Sequence, residues 1–555
     1  MRRKTAISSV LALLAGLALS APAQAAGGVQ LINREGVVLQ YERVTTTALR
    51  PRPVLGSGDT RSDFDGDGVD DVAAMGDPFY SRLPLPENPT GVVTVRYSSA
   101  PQVDHFLGVL SSGGGCGCFG TALAAGNFNG DRYDDLVIGD QDEVDPGNGR
   151  HAGGVWVIPG SSGGLVVGSA RHFSQSSPGV PGDPEAYDRF GGALATGDLN
   201  GDGRDDLAIG AYGEAIGTKT DAGAVTVLLG TTTGLTATGA AFLSQDQSAV
   251  PGTSEPNDYF GFTLAIGRVN GDRYADLVIG APREDDGSSW KGSGMVTLMW
   301  GSAAGVATTG ATSVTGAALL GAIDQTDTIA WYLGSALAVG DVNGDGLGEV
   351  IAGAPDAQTP ELTGGLVPAF TGRSAGLSAT AVRVITQDTS GVPGTPGGGD
   401  RFGAALAVGD VTGDGRADVL VGAPGETVGT AAEAGSVTLL KGSAGGLTGS
   451  GAQAFYQGRS GVPGAAERGD KFGASVALLH LDRRGGLDAV VGAPGEEVTG
   501  DLAGYPSGSV TRFLGVGGLV PQSAIWSGLG LRSDYVWPER YGLRIAGPQS
   551  GGPLY

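Results

Sequence analysis

Short apolar runs alternate with glycine-bounded polar loops along this chain, and the alternation recurs. In one copy, residues 190–191 (Phe-Gly) open an apolar run at 192–197 (Gly-Ala-Leu-Ala-Thr-Gly). A nine-residue acidic loop at 198–206 follows, then apolar runs at 207–210, 224–229 and near 240–244. Runs of this length, bounded by glycine turns and containing β-branched residues, predict a meander of four short strands. The middle runs are apolar at nearly every position, which is the pattern of strands covered on both faces. A polar, Pro- and Gly-rich connection leads to the next Phe-Gly.

The acidic loop occurs seven times, beginning at Asp63, Asn127, Asp198, Arg268, Asp341, Asp410 and His480, with spacings of 64, 71, 70, 73, 69 and 70 residues. A four-stranded sheet repeated at this period must cover its faces with its neighbours, and radial packing achieves that. The expected fold is all-β: a seven-bladed β-propeller of four-stranded antiparallel blades. A linear solenoid is the competitor and would need polar end caps. Repeat starts fall near 55, 119, 190, 260, 333, 402 and 472, within a repeat region of 55–547. A strand resembling an unfinished eighth repeat lies near 541–546, and 548–555 form a tail. Residues 26–54 contain a further strand at 37–41, so either terminus is a candidate to complete a blade.

The loops carry the chemistry. Side chains at positions 1, 3, 5 and 9, with the position-7 carbonyl, make an oxygen-only cage of the kind that holds Ca²⁺. Glycine at positions 4 and 6 lets the chain curl around an ion. The first loop offers Asp63, Asp65, Asp67, Val69 and Asp71; the third offers Asp198, Asn200, Asp202, Arg204 and Asp206. The fifth offers Asp341, Asn343, Asp345, Leu347 and Glu349; the sixth offers Asp410, Thr412, Asp414, Arg416 and Asp418. The second, with Asn127, Asn129, Asp131, Tyr133 and Asp135, has fewer charges and is expected to bind more weakly. Four to five Ca²⁺ sites are therefore expected. The loops at Arg268 and His480 are expected to be metal-free, with the guanidinium of Arg268 or Arg484 replacing the ion's charge.

These features resemble the FG-GAP repeat family, whose best-known members form the propeller head of integrin α subunits. Phe-Gly stands at 119–120, 190–191, 260–261, 402–403 and 472–473, with Leu-Gly at 55–56 and 333–334. Gly-Ala-Pro stands at 280–282, 353–355, 422–424 and 492–494, with variants from Gly76, Gly139 and Gly210. The resemblance implies calcium in the strand 1–2 loops on one face and ligand contacts on the other.

Composition narrows the function. The formal net charge of −24 argues against nucleic acid, whose phosphates need Lys and Arg. Residues 1–25 read as a signal peptide: Arg2, Arg3 and Lys4, an apolar run at 6–19, and Ala-Gln-Ala at 23–25. The expected location is secreted, with possible attachment at the cell surface; no membrane span is expected, and a monomer is. Cys116 and Cys118, the only cysteines, suggest a local disulfide or free thiols.

Enzymatic signals are weak. Ser162 and Ser374 sit in G-x-S-x-G sequences, but in strand 3–4 turns without a strand-to-helix elbow. His105, His151, His172 and His480 show no metal-ligand spacing. Glu214, Glu284, Glu426 and Glu496 recur regularly, as structural or solvated acids would. The connections at 174–189, 244–259, 387–401 and 457–471 would lie on the ligand face, with Tyr187 and Tyr259 as candidate contacts. The expected function is a non-enzymatic binding or adhesion module for extracellular protein or polysaccharide. The alternatives are a propeller enzyme acting on polysaccharide and a structural envelope protein.

Overall fold

The computed structural model describes residues 30–43, 61–79, 91–99, 104–110, 118–285, 292–307, 309–322, 332–358, 363–497, 506–527 and 537–546. The signal-peptide reading, Cys116 and the Leu-Gly at 55–56 lie outside them.

In the third repeat the strands are Phe190–Gly197, Asp206–Ala211, Ala224–Leu229 and Thr236–Leu243, paired antiparallel in chain order. The second strand is buried at every position and the fourth is largely open, so each sheet runs from a covered inner edge to a wet outer one. The described residues form six four-stranded sheets of this kind, one six-stranded sheet and a two-stranded ribbon of Gly301–Ser302 with Gly305–Val306. A short helix, Gly316–Ala322, follows the fourth strand of the fourth repeat and was not foreseen in the apolar pattern.

The six-stranded sheet corrects the expectation of uniform four-stranded blades. Its inner strand is Trp537–Ile545, followed by Val72–Phe79, Val92–Arg96, Asp104–Leu110, Val37–Arg43 and Gln30–Arg34. Both termini join this sheet: the C-terminal strand supplies the inner edge, and the N-terminal hairpin extends the outer one.

The two signature motifs meet between neighbouring sheets. Phe190 is fully buried, and its N–H donates to Ala152 O of the preceding repeat at 2.8 Å. Phe260, Phe402 and Phe472 repeat this with Ala222, Gly364 and Ala434 at 3.0, 2.7 and 2.9 Å. Gly191 follows at φ 88°, where the strand bulges before pairing regularly from Ala193. A methyl group on Gly210, the first residue of the Gly-Ala-Pro variant, would overlap the carbonyl oxygen of Gly261 in the next repeat. Gly139, Gly353 and Gly422 face the Phe-Gly glycines Gly191, Gly403 and Gly473 in the same way. Each motif thus fits its neighbour's, which explains why both recur.

The loops close the ring as a relay. The position-8 N–H of each acidic loop donates to the position-1 carbonyl of the loop before it: Asp134 to Asp63, Asp205 to Asn127, Ala275 to Asp198, Gly348 to Arg268, Ala417 to Asp341 and Leu487 to Asp410. Asp70 completes the circuit by donating to His480 at 2.7 Å.

Candidate metal centre

All seven loops lie at one end of the sheets: six join a first strand to a second, and loop one leads into Val72–Phe79, whose inner neighbour is the C-terminal strand Trp537–Ile545. In loop one, Asp63, Asp65 and Asp67 bring carboxylate oxygens within 4.8 Å of one another. The three residues are 4%, 6% and 2% exposed. Backbone N–H groups hold the loop: Asp67 N donates to Asp63 at 3.0 Å and Asp65 at 3.1 Å, and Gly68 N donates to Asp63 at 2.7 Å. Ser98 and Ser99 hydroxyls donate to Asp67 and Asp65. Asp67 Oδ2 remains buried without a hydrogen-bond partner. Burial, with the neighbouring charges of Asp65 and Asp67, pushes Asp63 up to about 7; burial also raises Asp65 and takes Asp71 well above the carboxylate range. An orphaned oxygen among crowded, buried, hard donors fits a divalent oxygen-seeking cation.

Loop three has the same curl in a more open setting. Asp198 accepts from Asp202 N and Gly203 N at 3.0 and 2.9 Å, and Asn200 accepts from Asp202 N at 2.9 Å. Asp345 and Gly346 make the corresponding bonds to Asp341 in loop five, as Asp414 and Gly415 do to Asp410 in loop six. In loop five the Asn343 amide donates to both Asp345 and Glu349, at 3.0 and 2.7 Å. The second loop is satisfied internally: Asn127 and Asn129 donate their amides to Asp131 O and Oδ2 at 3.1 and 2.9 Å.

The position-9 acid has a further task. Asp206 accepts from Leu199 N at 3.0 Å and from Gly230 N at 2.8 Å, pinning its loop to the strand 3–4 turn. Asp71, Asp276, Glu349 and Asp418 make the equivalent pair of bonds. Asp135 likewise receives Gly160 N at 3.0 Å. The position-8 acids, to which the sequence pattern gave no role, are clamps between loops. Asp134 accepts from Asp63 N and Asp205 from Asn127 N, both at 2.8 Å, while Asp70 accepts from His480 N at 2.6 Å. The sequence signal was an extra acid beside position 9 in loops one to three only.

The readings of the two departing loops need correction. Arg268 is exposed, and Asn270 turns its amide onto Asp272 at 3.0 Å instead. In loop seven a guanidinium does reach the acids, but it belongs to Arg512 on the strand Ser509–Gly515, not to Arg484. Arg512 binds Asp488 at 2.8 Å and approaches Asp482 at 4.0 Å. Arg484 is exposed. Position-counting within the loop could not see a cation arriving from another strand. An Arg512→Met variant is expected to lose about 1–3 kcal/mol by removing the only charged donor to the buried Asp488 among the described residues, leaving it the Gly515 N–H at 2.9 Å. Arg484→Ala should stay within about 0.5 kcal/mol. Urea unfolding of the two variants checks the contrast. Arg483 donates to Asp67 O, so loop seven also braces loop one. A pocket of about 470 Å³ opens between these loops, lined in part by Val69, Leu481, Arg483 and Arg512.

Other candidates resolve differently. Ser161 donates to Gly164 O at 2.7 Å in an ordinary turn, and Ser162 is followed by no α-helix, only by the single 3₁₀ turn Val167–Ser169. His172 is buried between Glu143, at 2.6 Å, and Glu35, at 3.5 Å. Burial opposes its charge, but the two carboxylates outweigh that and hold it up at about 9. Cys118 is disulfide-bonded. Tyr187 is 57% exposed, whereas Tyr259 packs on Tyr212 and Phe262. Among the described residues no helix is long and apolar enough to cross a membrane.

Comparison with known proteins agrees with this geometry. The FG-GAP repeat matches residues 119–158, 190–228, 260–299, 333–367 and 402–440. Phosphatidylinositol-glycan-specific phospholipase D of Bos taurus is 34% identical over 173 residues, covering 31% of this chain and 20% of that protein. Integrin alpha-PS2 of Drosophila melanogaster is 31% identical over 236 residues, covering 42% and 15%. Integrin alpha-V of Gallus gallus is 30% identical over 234 residues, covering 41% and 20%. The match therefore spans a fifth or less of these relatives' own length. An exotype rhamnogalacturonan lyase structure overlays with a TM-score of 0.36 at 13% identity, covering 96% of this chain and 82% of the lyase, too weak a likeness to bear on function. With its Phe-Gly and Gly-Ala-Pro motifs interlocked between sheets, the chain belongs to the FG-GAP repeat family, as an integrin-alpha-like β-propeller.

Proposed function

We propose that this protein is a secreted, calcium-stabilised propeller that binds an extracellular protein or polysaccharide and does not turn it over. The observation that carries the calcium reading is loop one, with its three converging buried carboxylates and the unpartnered Asp67 Oδ2. Loops three, five and six share the curl and take further ions; loop two holds a weaker one. The binding reading rests on the opposite end of the sheets. The long connections gather there, and Tyr187 offers an exposed aromatic face beside His151, with ring centroids 6.4 Å apart. An aromatic side chain supplies contact area at low conformational cost to a sugar ring or a protein side chain.

The test is binding of calcium-loaded protein to panels of immobilised polysaccharides and extracellular matrix proteins. The expected result is retention on one ligand class, weakened at least tenfold by Tyr187→Ala and lost in chelator. No retention by the calcium-loaded protein would overturn the binding reading. Release of cleaved fragments from a retained polysaccharide would overturn the non-enzymatic one.

A further inference from the structure

The end of the sheets opposite the acidic loops carries a second repeated polar arrangement. Gln175, just past the strand Arg171–Phe173, donates through Nε2 to Glu214 of the next repeat at 2.6 Å. Gln245 and Glu284 repeat this at 2.6 Å, Gln387 and Glu426 at 2.7 Å, and Gln457 and Glu496 in the same manner. In all four glutamines the other end of the amide, Oε1, is buried without a hydrogen-bond partner. The Nε2 bond fixes each amide beside its carboxylate, and the orphaned oxygen is carried on the same amide carbon.

In two repeats more acids converge there. Glu185, Asp188 and Glu214 bring carboxylate oxygens within 4.8 Å of one another, as do Glu255, Asp258 and Glu284. Gln175 and Gln245 are 5% and 3% exposed. In the second cluster Glu255 Oε2 is also buried and unpartnered. Among the described residues none of these six carboxylates makes a Lys or Arg ion pair within 4.0 Å; the charge of Arg150 reaches Asp188, and Lys219, whose charge reaches Glu255, is bound to Asp246 at 2.7 Å. The second repeat shows what such a position requires. Glu143 stands where Glu214 stands one repeat later, and it meets a built-in cation, His172, at 2.6 Å. Repeats three and four keep the acid and add two more, without a contact ion pair of that kind among the described residues.

We propose that Gln175, Glu185, Asp188 and Glu214, and likewise Gln245, Glu255, Asp258 and Glu284, form two divalent-cation sites on the face opposite the acidic loops. Carboxylates with an amide carbonyl make an all-oxygen donor set suited to calcium or magnesium. A cation satisfies the glutamine oxygen and neutralises acids that otherwise repel one another in a poorly solvated place. It also ties the connection leaving one repeat to the strand 2–3 loop of the next. These sites would brace the proposed ligand face, so the inference is independent of the loop sites and lies at the other end of each sheet.

The test uses Mn²⁺ as the probe. Anomalous diffraction from Mn²⁺-soaked crystals of the native protein should give peaks bonded to Gln175 Oε1 and Gln245 Oε1. Where Gly397 replaces the third acid, beside Gln387 and Asp400, the peak should be weaker or missing. In solution, a Glu214→Gln/Glu284→Gln variant should bind two fewer Mn²⁺ per chain by equilibrium dialysis. Peaks in the acidic loops with only water or a carboxyl–carboxylate hydrogen bond at both clusters would overturn this inference and leave the calcium reading of the loops standing. An unchanged Mn²⁺ count in a folded variant would overturn it as well. Should the variant not fold, the native diffraction map decides alone.

Discussion

Excess chelator is expected to lower the melting temperature of this protein further than any single core substitution. The reason is the number of sites and the setting of the first. Loop one buries Asp63, Asp65 and Asp67 together, and burial with mutual repulsion holds Asp63 up at about 7. Removing a counter-ion there forces the loop to protonate, open or bear the repulsion. An ion that binds only the folded form stabilises it by about 4 kcal/mol per site at a thousandfold excess over Kd. On the proposed calcium reading, loops one, three, five and six would each add such a contribution. They also sit on the hydrogen-bond relay that runs from loop to loop and closes through Asp70 and His480. Loss of one ion therefore loosens two neighbours. Calorimetry in calcium and in chelator measures the effect, and Asp65→Asn should remove part of it. An unchanged melting temperature in excess chelator would sink the structural role of calcium.

The second large effect concerns the seam between sheets. Phe190 is fully buried in a cluster with Val155 and Val157 of the preceding repeat and Leu194, Leu207 and Ile209 of its own. Phe190→Ala is expected to cost about 3–5 kcal/mol, from lost transfer energy and the cavity left behind. Phe190→Leu should cost far less, because Leu333 fills the same position in the fifth repeat and is itself fully buried. Gly210→Ala acts on the other half of the seam. Its obstacle is the Gly261 backbone, which cannot swing aside as a flexible side chain would, so overpacking of about 1–3 kcal/mol is a lower bound. Urea midpoints for the three variants should rank Leu well above the two alanines. A mild Gly210→Ala would show that the sheets are not interlocked at that glycine.

Much of this architecture is legible in the chain because a repeat states its rule several times. The apolar runs around Gly192 and Leu207 gave strand positions, and the Asp-x-Asp-Gly-Asp spacing gave loops of the right length and donor chemistry. Periodicity and donor type are local properties, fixed by alternation along a strand and by the reach of a nine-residue turn. What the third dimension decided are contacts between residues far apart in sequence. Arg512, not Arg484, neutralises loop seven, because the strand Ser509–Gly515 lies alongside it. Asp134 and Asp205 clamp neighbouring loops, while Asp71 and Asp206 staple their own. Both termini entered one sheet: the C-terminal strand supplies its inner edge, and the N-terminal hairpin adds two strands beyond its fourth. The clusters around Glu214 and Glu284 depend on glutamines from the repeat before, and no count along a single repeat could join them. Composition and period specify a unit; packing one unit against the next decides which of its acids meet a donor, a cation or another acid.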